Sequence, residues 1–462
     1  MRSIDQIKIL YFIGIGGIGM SALARFFKSQ GKHIEGYDRT ESELTSDLMT
    51  EGIDIVFDDN HENFNTQIYK IDTTLVVYTP AISQENKIFN WFKRNGYQII
   101  KRSELLGIVS EKWNSICVAG THGKTTVSTM TAHLLKQSSM DCSAFLGGIS
   151  KNYNTNYLKS ESSEWVVLEA DEFDRSFLHL SPAMAVVTSV DADHLDIYEN
   201  HAQIRKTFDE FINKVKDNGT VIIKKNVDIK INKDKSSVIV ENYTVDEVAD
   251  FYASNIKLLG GFYTFDIVHP GGVIDNIELG VPGLVNVENA VAAAALAIHA
   301  GVNTDEIKNG FKTFRGIKRR FDYWLKENYL HIIDDYAHHP EEIKATAKSV
   351  KAIYPDKKVV AIFQPHLYSR TKDFFSEFAD ALSLFDQVLL LDIYPARELP
   401  IEGVNAYLIA NLVKVPVKVV QKSELCIELN QLKPDVIITM GAGDIDRELP
   451  SIVNYFKQET MT

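Results

Sequence analysis

Short apolar runs alternate along the chain with stretches whose apolar positions recur at helical spacing, which is the pattern of parallel α/β structure. Residues 7–13 form one run, lead into Gly14-Ile-Gly16-Gly17-Ile-Gly19, and continue as a helix from Met20. A second strand at 33–37 ends in Asp38, and runs at 75–78 and 99–100 with a helix at 86–93 complete a first α/β domain near residue 110. The run 115–119 then enters Gly120-Thr121-His122-Gly123-Lys124-Thr125-Thr126, and Val127, Met130, Leu134 and Leu135 mark the helix that follows. Strands at 165–168 and 183–189 end in the acidic segments Glu169-Ala-Asp171-Glu172 and Asp193-His194-Leu-Asp196. Between 219 and 282 the character changes to short strands and turns, with a polar, exposed loop expected at 226–237. An alanine-rich helix over 290–300 and a second over 304–314 follow, and the charged segment 314–322 is a natural boundary. Beyond it, strands at 331–334, 358–363, 386–391, 417–420 and 435–439 repeat the strand and helix alternation. The expectation is an α/β protein of three domains, 1–110, 111–318 and 319–462.

The places where strand turns into helix carry the candidate chemistry. In the segment from Gly120 to Thr126, free backbone N–H groups and the positive end of a helix converge, Lys124 can reach terminal phosphate oxygens, and Thr125 can place a hydroxyl on magnesium. The segment is shorter than a full P-loop, which wants a glycine where Val118 stands, so an ordinary strand-to-helix turn is the alternative. Gly14, Gly16, Gly17 and Gly19, with Asp38 further on, fit a nucleotide loop or merely a tight turn. Glu169 at a strand end suits a magnesium ligand beside ATP, against the alternative of a solvated loop. His194 is less expected there, since nitrogen is not what magnesium prefers. Asn286 caps the alanine-rich helix or touches ligand. Asp334 and Asp335 with His338 and His339 suggest a metal site or the capping of a helix begun by Pro340. His366 with Arg370 offers two donors for a carboxylate, or a surface turn.

Charge narrows the partners. Lys and Arg number 49 and Asp and Glu 62, a net charge of -13, which argues against non-specific nucleic-acid binding and for small molecules. Cys117, Cys142 and Cys426 are scattered, as in a reducing cytoplasm, and no apolar run approaches membrane-spanning length. A soluble cytoplasmic protein, monomeric or weakly dimeric, is the expectation.

In order and spacing, the motifs at 14–24, 120–126, 169–172, 193–196, Arg319-Arg320-Phe321-Asp322, 334–340 and 364–371 closely resemble those of the Mur ligases, the ATP-dependent amide-forming enzymes of bacterial cell-wall precursor synthesis. The resemblance implies a Rossmann-like UDP-binding domain, a central P-loop ATPase-type domain and a Rossmann-like C-terminal domain. It also moves the first glycine loop from a nicotinamide cofactor to the diphosphate of UDP. The implied reaction joins L-alanine to the lactyl carboxylate of UDP-N-acetylmuramate, with ATP and two magnesium ions, through an acyl phosphate. By resemblance Gly120, Thr121, His122, Gly123, Lys124, Thr125, Thr126, Asn286, Arg320 and Asp335 bind ATP. Thr125, Glu169 and His194 hold metal, and Lys124, Glu169 and His194 are catalytic. His338, His366 and Arg370 line the amino-acid side, while Gly14, Gly16, Gly17, Gly19 and Asp38 take the UDP-sugar. The chain departs from the family pattern at Phe173, where serine is expected, at Leu367, where arginine is common, and at Val285, where histidine often stands. Three alternatives stay open: ligation of a recycled tripeptide to the same sugar nucleotide, a nicotinamide-dependent oxidoreductase, and a non-catalytic nucleotide-dependent scaffold or switch.

Overall fold

The computed structural model describes residues 3–60, 66–83, 85–191, 198, 201–396 and 398–459. Three sheets carry the architecture. The first holds β1 (Ile9–Ile13), β2 (His33–Tyr37), β3 (Asp54–Val56), β4 (Thr74–Tyr78) and β5 (Gln98–Lys101) in the spatial order β3-β2-β1-β4-β5, all parallel. The chain leaves β1 at the point where strand order reverses, so the first glycine loop opens onto the crevice of a Rossmann-like sheet. Helix α1 (Ile18–Ser29) follows that loop, and α2 (Arg102–Lys112) follows β5.

The second sheet contains β6 (Asn114–Ala119), β7 (Ser143–Ser150), β8 (Thr155–Leu158), β9 (Trp165–Glu169), β10 (Met184–Val187), β11 (Thr220–Lys224), β12 (Ile239–Thr244), β13 (Phe251–Leu259), β14 (Phe262–His269) and β15 (Gly272–Glu278). Their order is β15-β14-β13-β12-β11-β10-β6-β9-β7-β8. Strand β6 is fully buried over its last five residues, Ser115 to Ala119, as its continuous apolar run requires. It lies parallel between β9 and β10, so the loops leaving all three strands share one edge. Helix α3 (Lys124–Lys136) follows β6.

The third sheet, β16 (Asp322–Lys326), β17 (His331–Asp335), β18 (Val359–Phe363), β19 (Gln387–Leu390), β20 (Val417–Val419) and β21 (Val436–Met440), runs β16-β17-β21-β18-β19-β20. Only β16 is antiparallel to its neighbour. Helices α4 (Leu284–His299), α5 (Pro340–Ile353) and α6 (Tyr368–Leu382) carry further candidate residues.

The chain divides into two compact units, one of 1–255, 265–278 and 288–315, the other of 256–264, 279–287 and 316–462. Within the first, a single apolar core joins the sheet of β1 to the sheet of β6. Phe26 of α1 sits edge-on to Trp113 at 5.5 Å and to Tyr157 at 6.0 Å, and tilted against Phe145 at 5.2 Å. Such pairs contribute about 0.5–1.5 kcal/mol each beyond burial. The buried Asn156 amide donates to the Ile18 carbonyl at 2.6 Å and to Ser21 Oγ at 2.9 Å, while the Arg25 guanidinium donates to its oxygen, so α1 is locked to β8. Among the described residues no helix is long and apolar enough to cross a membrane.

Candidate active site

Backbone geometry builds the loop between β6 and α3. Gly123 caps α3 with φ +82° and Gly120 has φ +138°, conformations that side-chain-bearing residues rarely adopt. A Cβ on Gly120 would lie 2.0 Å from Thr188 Oγ1, so the loop also needs glycine for the approach of the β10 loop. That approach is fixed by hydrogen bonds: Thr121 N–H donates to Ser189 O at 3.2 Å, and His122 N–H to Ser189 Oγ at 2.8 Å. Thr125 is buried in the first turn of α3, at the end where helix N–H groups lack intrahelical partners.

Lys124 does not extend into solvent. Its ammonium donates to the Gly120 carbonyl at 2.6 Å and meets both oxygens of Glu172, at 2.9 and 2.8 Å. Burial alone would lower its pKa, but the charges of Glu172, then Asp171 and Glu169, outweigh burial and hold it above the ordinary lysine range. Glu169 stands beside Val118 in the register of β9 with β6, which sets it on the edge of the phosphate-type loop. Its carboxylate fills the space that a Cβ on Gly147 would occupy. A threonine hydroxyl and a carboxylate on this edge are hard oxygen donors of the kind magnesium takes beside phosphates. His194 lies outside the described residues.

The loop after β9 is tethered by cations at three successive acidic positions. Lys124 holds Glu172, Arg102 Nη2 lies 3.4 Å from Asp171 Oδ2, and Lys101 Nζ donates to Asp174 Oδ2 at 2.7 Å. Asp174 and Arg175 both have φ +53°. None of these pairings was legible beforehand: Glu172 was only one letter of an acidic run, and its partner is 48 residues away.

At the first glycine loop, the Asp38 carboxylate accepts from Gly16 N–H at 2.8 Å and from Thr40 N–H at 3.2 Å. Of Gly14, Gly16, Gly17 and Gly19, it is Gly16 that this carboxylate holds, so Asp38 orders the loop itself.

The second unit carries the other candidates. Helix α4 begins at Leu284, six residues earlier than expected, so Asn286 lies in its first turn and is not its cap. The Asn286 amide donates to the Pro282 carbonyl at 2.6 Å, an intrahelical-type contact that a residue inside the turn can make. Asp334 and Asp335 end β17, both buried. Burial raises each carboxyl to about 6, opposed by Arg319 at Asp334 and by Arg320 at Asp335. Thr346 Oγ1 donates to Asp335 Oδ2 at 2.8 Å, and Arg319 donates to Asp334 at 3.3 Å. Arg320 lies 3.7 Å from Glu342, and both arginines stack over Tyr336.

His339 caps α5 with Pro340 in the first helical position, so capping does account for one histidine of the pair. His338 is different. Its Nδ1 lies 2.9 Å from the Tyr336 carbonyl, and burial lowers its pKa to about 4, partly opposed by Glu342. It is neutral at pH 7 with Nδ1–H donating, which turns Nε2 into an acceptor. Its ring is 6.3 Å from that of His366, which stacks on Tyr394 at 5.8 Å, and Arg370 is buried in the first turn of α6. Asp335, Arg320, His338, His366 and Arg370 thus gather at the C-terminal ends of β17 and β18. Beside them opens a cavity of about 570 Å³ lined by Gln364, Tyr394, Lys422 and Asp444. No group of three or more metal-binding side chains occurs among the described residues.

Family models described as "Mur ligase family, catalytic domain", "Mur ligase middle domain" and "Mur ligase, glutamate ligase domain" match residues 9–113, 118–297 and 319–443. A UDP-N-acetylmuramate–L-alanine ligase of Phocaeicola vulgatus is 49% identical over 97% of this chain and 98% of its own. One of Parabacteroides distasonis is 48% identical over 96% of each. Among solved structures, a UDP-N-acetylmuramate-alanine ligase of Thermotoga maritima is 28% identical with a TM-score of 0.81, covering 97% of this chain and 99% of that one. A murein peptide ligase of Psychrobacter arcticus, 22% identical with a TM-score of 0.70 over 97% and 98%, shares the fold. With all three models matched in chain order and relatives aligned over nearly their whole length, the chain belongs to the Mur ligase family.

Proposed function

We propose that this protein joins L-alanine to the lactyl carboxylate of UDP-N-acetylmuramate at the expense of ATP, giving ADP and phosphate in peptidoglycan precursor synthesis. The observation that carries the reading is the full-length match to relatives named for that reaction. The geometry supports the chemistry. The carboxylate oxygen attacks the γ-phosphorus and ADP leaves; the amine then attacks the acyl carbon, and phosphate leaves with the oxygen that came from the carboxylate. Negative charge on oxygen develops at both steps, so fixed positive groups matter more than a nucleophilic side chain.

Lys124, already desolvated at the strand-to-helix turn, exchanges Glu172 for phosphate oxygens. Thr125 and Glu169 are the residues that would hold magnesium, with His194 proposed for a second ion. Magnesium, when bound, screens phosphate charge. Asn286, Arg320 and Asp335 are further nucleotide contacts. Arg370 pairs with the carboxylate of the incoming amino acid, and His338 Nε2 accepts a hydrogen from its amine while His366 lines the same side. The UDP diphosphate lies beside the Gly14 to Gly19 loop at the start of α1, where the end of a helix favours an anion.

Family membership speaks against a nicotinamide-dependent oxidoreductase. The tripeptide alternative differs only in the acceptor, and one assay separates the two: phosphate release from ATP, Mg2+ and UDP-N-acetylmuramate with the acceptor varied. L-alanine is expected to support release and the tripeptide not; the reverse pattern would overturn the assignment.

A further inference from the structure

Leu367 holds a backbone conformation that its side chain disfavours. It lies between His366 and helix α6 with φ +71° and ψ 137°, a region that residues other than glycine seldom occupy. Such a conformation persists only where the surrounding structure over-determines it. Here it is over-determined by one distant segment, the chain that leaves β19. Leu367 N–H donates to the Tyr394 carbonyl at 3.0 Å, and Tyr394 N–H to the Pro365 carbonyl at 2.8 Å, so His366 and Tyr394 form a parallel bridge with their rings stacked across it. Past a turn in which Ala396 takes φ +49°, Glu398 meets the start of α6: its carboxylate accepts from Ser369 N–H at 2.9 Å and from Ser369 Oγ at 2.5 Å. Leu367 is the N-cap of α6 and its side chain makes no capping bond. Glu398, 29 residues from Ser369, supplies instead the anion that a first helical turn favours. That turn carries Arg370.

We propose that Glu398 is a positioning residue for the acceptor: it clamps the strained turn at Leu367 and so sets His366 and Arg370 in the arrangement that receives the amino acid. The inference rests on the reading that these two residues line the amino-acid side. His366 and Arg370 stand on either side of the one strained residue, so relaxing Leu367 swings the imidazole and the guanidinium relative to each other. Glu398 acts through Ser369 and not on the substrate. Without the clamp the turn opens for part of the time, only the closed fraction binds, and the apparent KM rises by the reciprocal of that fraction.

The test is steady-state phosphate release by the full-length protein, with KM for L-alanine, ATP and UDP-N-acetylmuramate read separately. Glu398→Ala is expected to raise KM for L-alanine by roughly 3- to 30-fold, the size of a lost helix cap. Its kcat at saturating L-alanine and the other two KM values should stay within about twofold. Glu398→Gln, which keeps an acceptor for Ser369 but no charge, should raise KM for L-alanine by roughly two- to fivefold, and it carries the comparison should Glu398→Ala melt early. The decisive variant is Leu367→Gly. Glycine adopts a positive φ without strain, so the clamp is needed less. In the Glu398→Ala or Glu398→Gln background, Leu367→Gly should bring KM for L-alanine at least halfway back on a logarithmic scale. A carboxylate that only stabilised the fold would not single out L-alanine, and one that touched the amino acid itself would not be rescued by glycine. An unchanged KM for L-alanine, equal changes in all three KM values, or no rescue by Leu367→Gly would overturn the proposal.

Arg370→Ala separates this from the underlying reading. If that variant raises KM for L-alanine while Glu398→Ala leaves it unchanged, the role of Glu398 alone is wrong. If neither variant changes it, the amino acid does not meet the start of α6 and both readings fall.

Discussion

Removing Lys124 should have two effects of different origin, and a second substitution can tell them apart. In Lys124→Ala the phosphate loses a fixed cation in the transition state, worth about 3–4 kcal/mol or ~10²- to 10³-fold in kcat for one preorganised donor. The same change strands Glu172, whose side chain is 1% exposed and whose cationic partner is the 14% exposed Lys124. Breaking a buried pair from one side costs about 3–5 kcal/mol, because the remaining buried charge loses its counterion. Lys124→Ala should therefore be both inactive and destabilised. In Lys124→Ala with Glu172→Gln, the stranded charge is gone and at least half of the lost stability should return, while activity stays low. Urea denaturation reads the first quantity and phosphate release the second. UDP-N-acetylmuramate affinity should stay within about twofold in both variants, since that ligand is held at a separate site. A double variant no more stable than Lys124→Ala, or a single variant that keeps more than about a tenth of wild-type kcat, would refute the reasoning.

Other consequences follow from the second unit and from the loop. Arg370→Ala should raise KM for L-alanine by roughly 10- to 100-fold while KM for ATP changes little, as expected for a lost charge-assisted contact to a carboxylate; equal effects on both would point to misfolding. Gly123→Ala places a side chain at φ +82° and a Cβ 2.9 Å from Asn289 Oδ1, so ATP affinity should fall by at least about tenfold, read by nucleotide titration; unchanged affinity would remove the loop from the nucleotide site. Asp335 is raised from 3.8 to about 6, so the folded protein holds that proton more tightly than the unfolded chain. The associated stabilisation is complete below about pH 3.8 and is lost as the pH rises through about 6. Between those limits the stability of Asp335→Asn relative to wild type should move in the variant's favour by about 3 kcal/mol in urea denaturation; a constant difference would contradict the buried, proton-holding carboxyl.

Local patterns carried much of the fold. A buried strand such as β6 reads as a continuous apolar run, and glycine before a helical pattern marks a phosphate-type turn, so the Gly120 to Thr126 loop was visible in advance. Composition places the start of helix α4 too late because Leu284 to Asn289 is not alanine-rich, though the helix already begins there after the Gly283 turn. Pairings across the fold were invisible for a different reason: Glu172 with Lys124, Arg102 with Gly19 and Asp171, and Glu169 against Gly147 join residues from different strands and helices. No spacing rule links such positions, because sheet order, not chain order, brings them together. His339 and His338 show the same limit at short range. They are adjacent in sequence, yet one caps a helix and the other, desolvated and held by the Tyr336 carbonyl, is left as a neutral acceptor.

The central claim, that ATP is used to turn the sugar-linked carboxylate into an acyl phosphate, is tested most directly by isotope transfer. UDP-N-acetylmuramate labelled with oxygen-18 in the lactyl carboxylate is turned over with ATP and L-alanine, and the phosphate products are read by phosphorus NMR. The account requires one labelled oxygen in each inorganic phosphate released and none in the nucleotide product. Label found in AMP, or phosphate free of label while the amide forms, would contradict it.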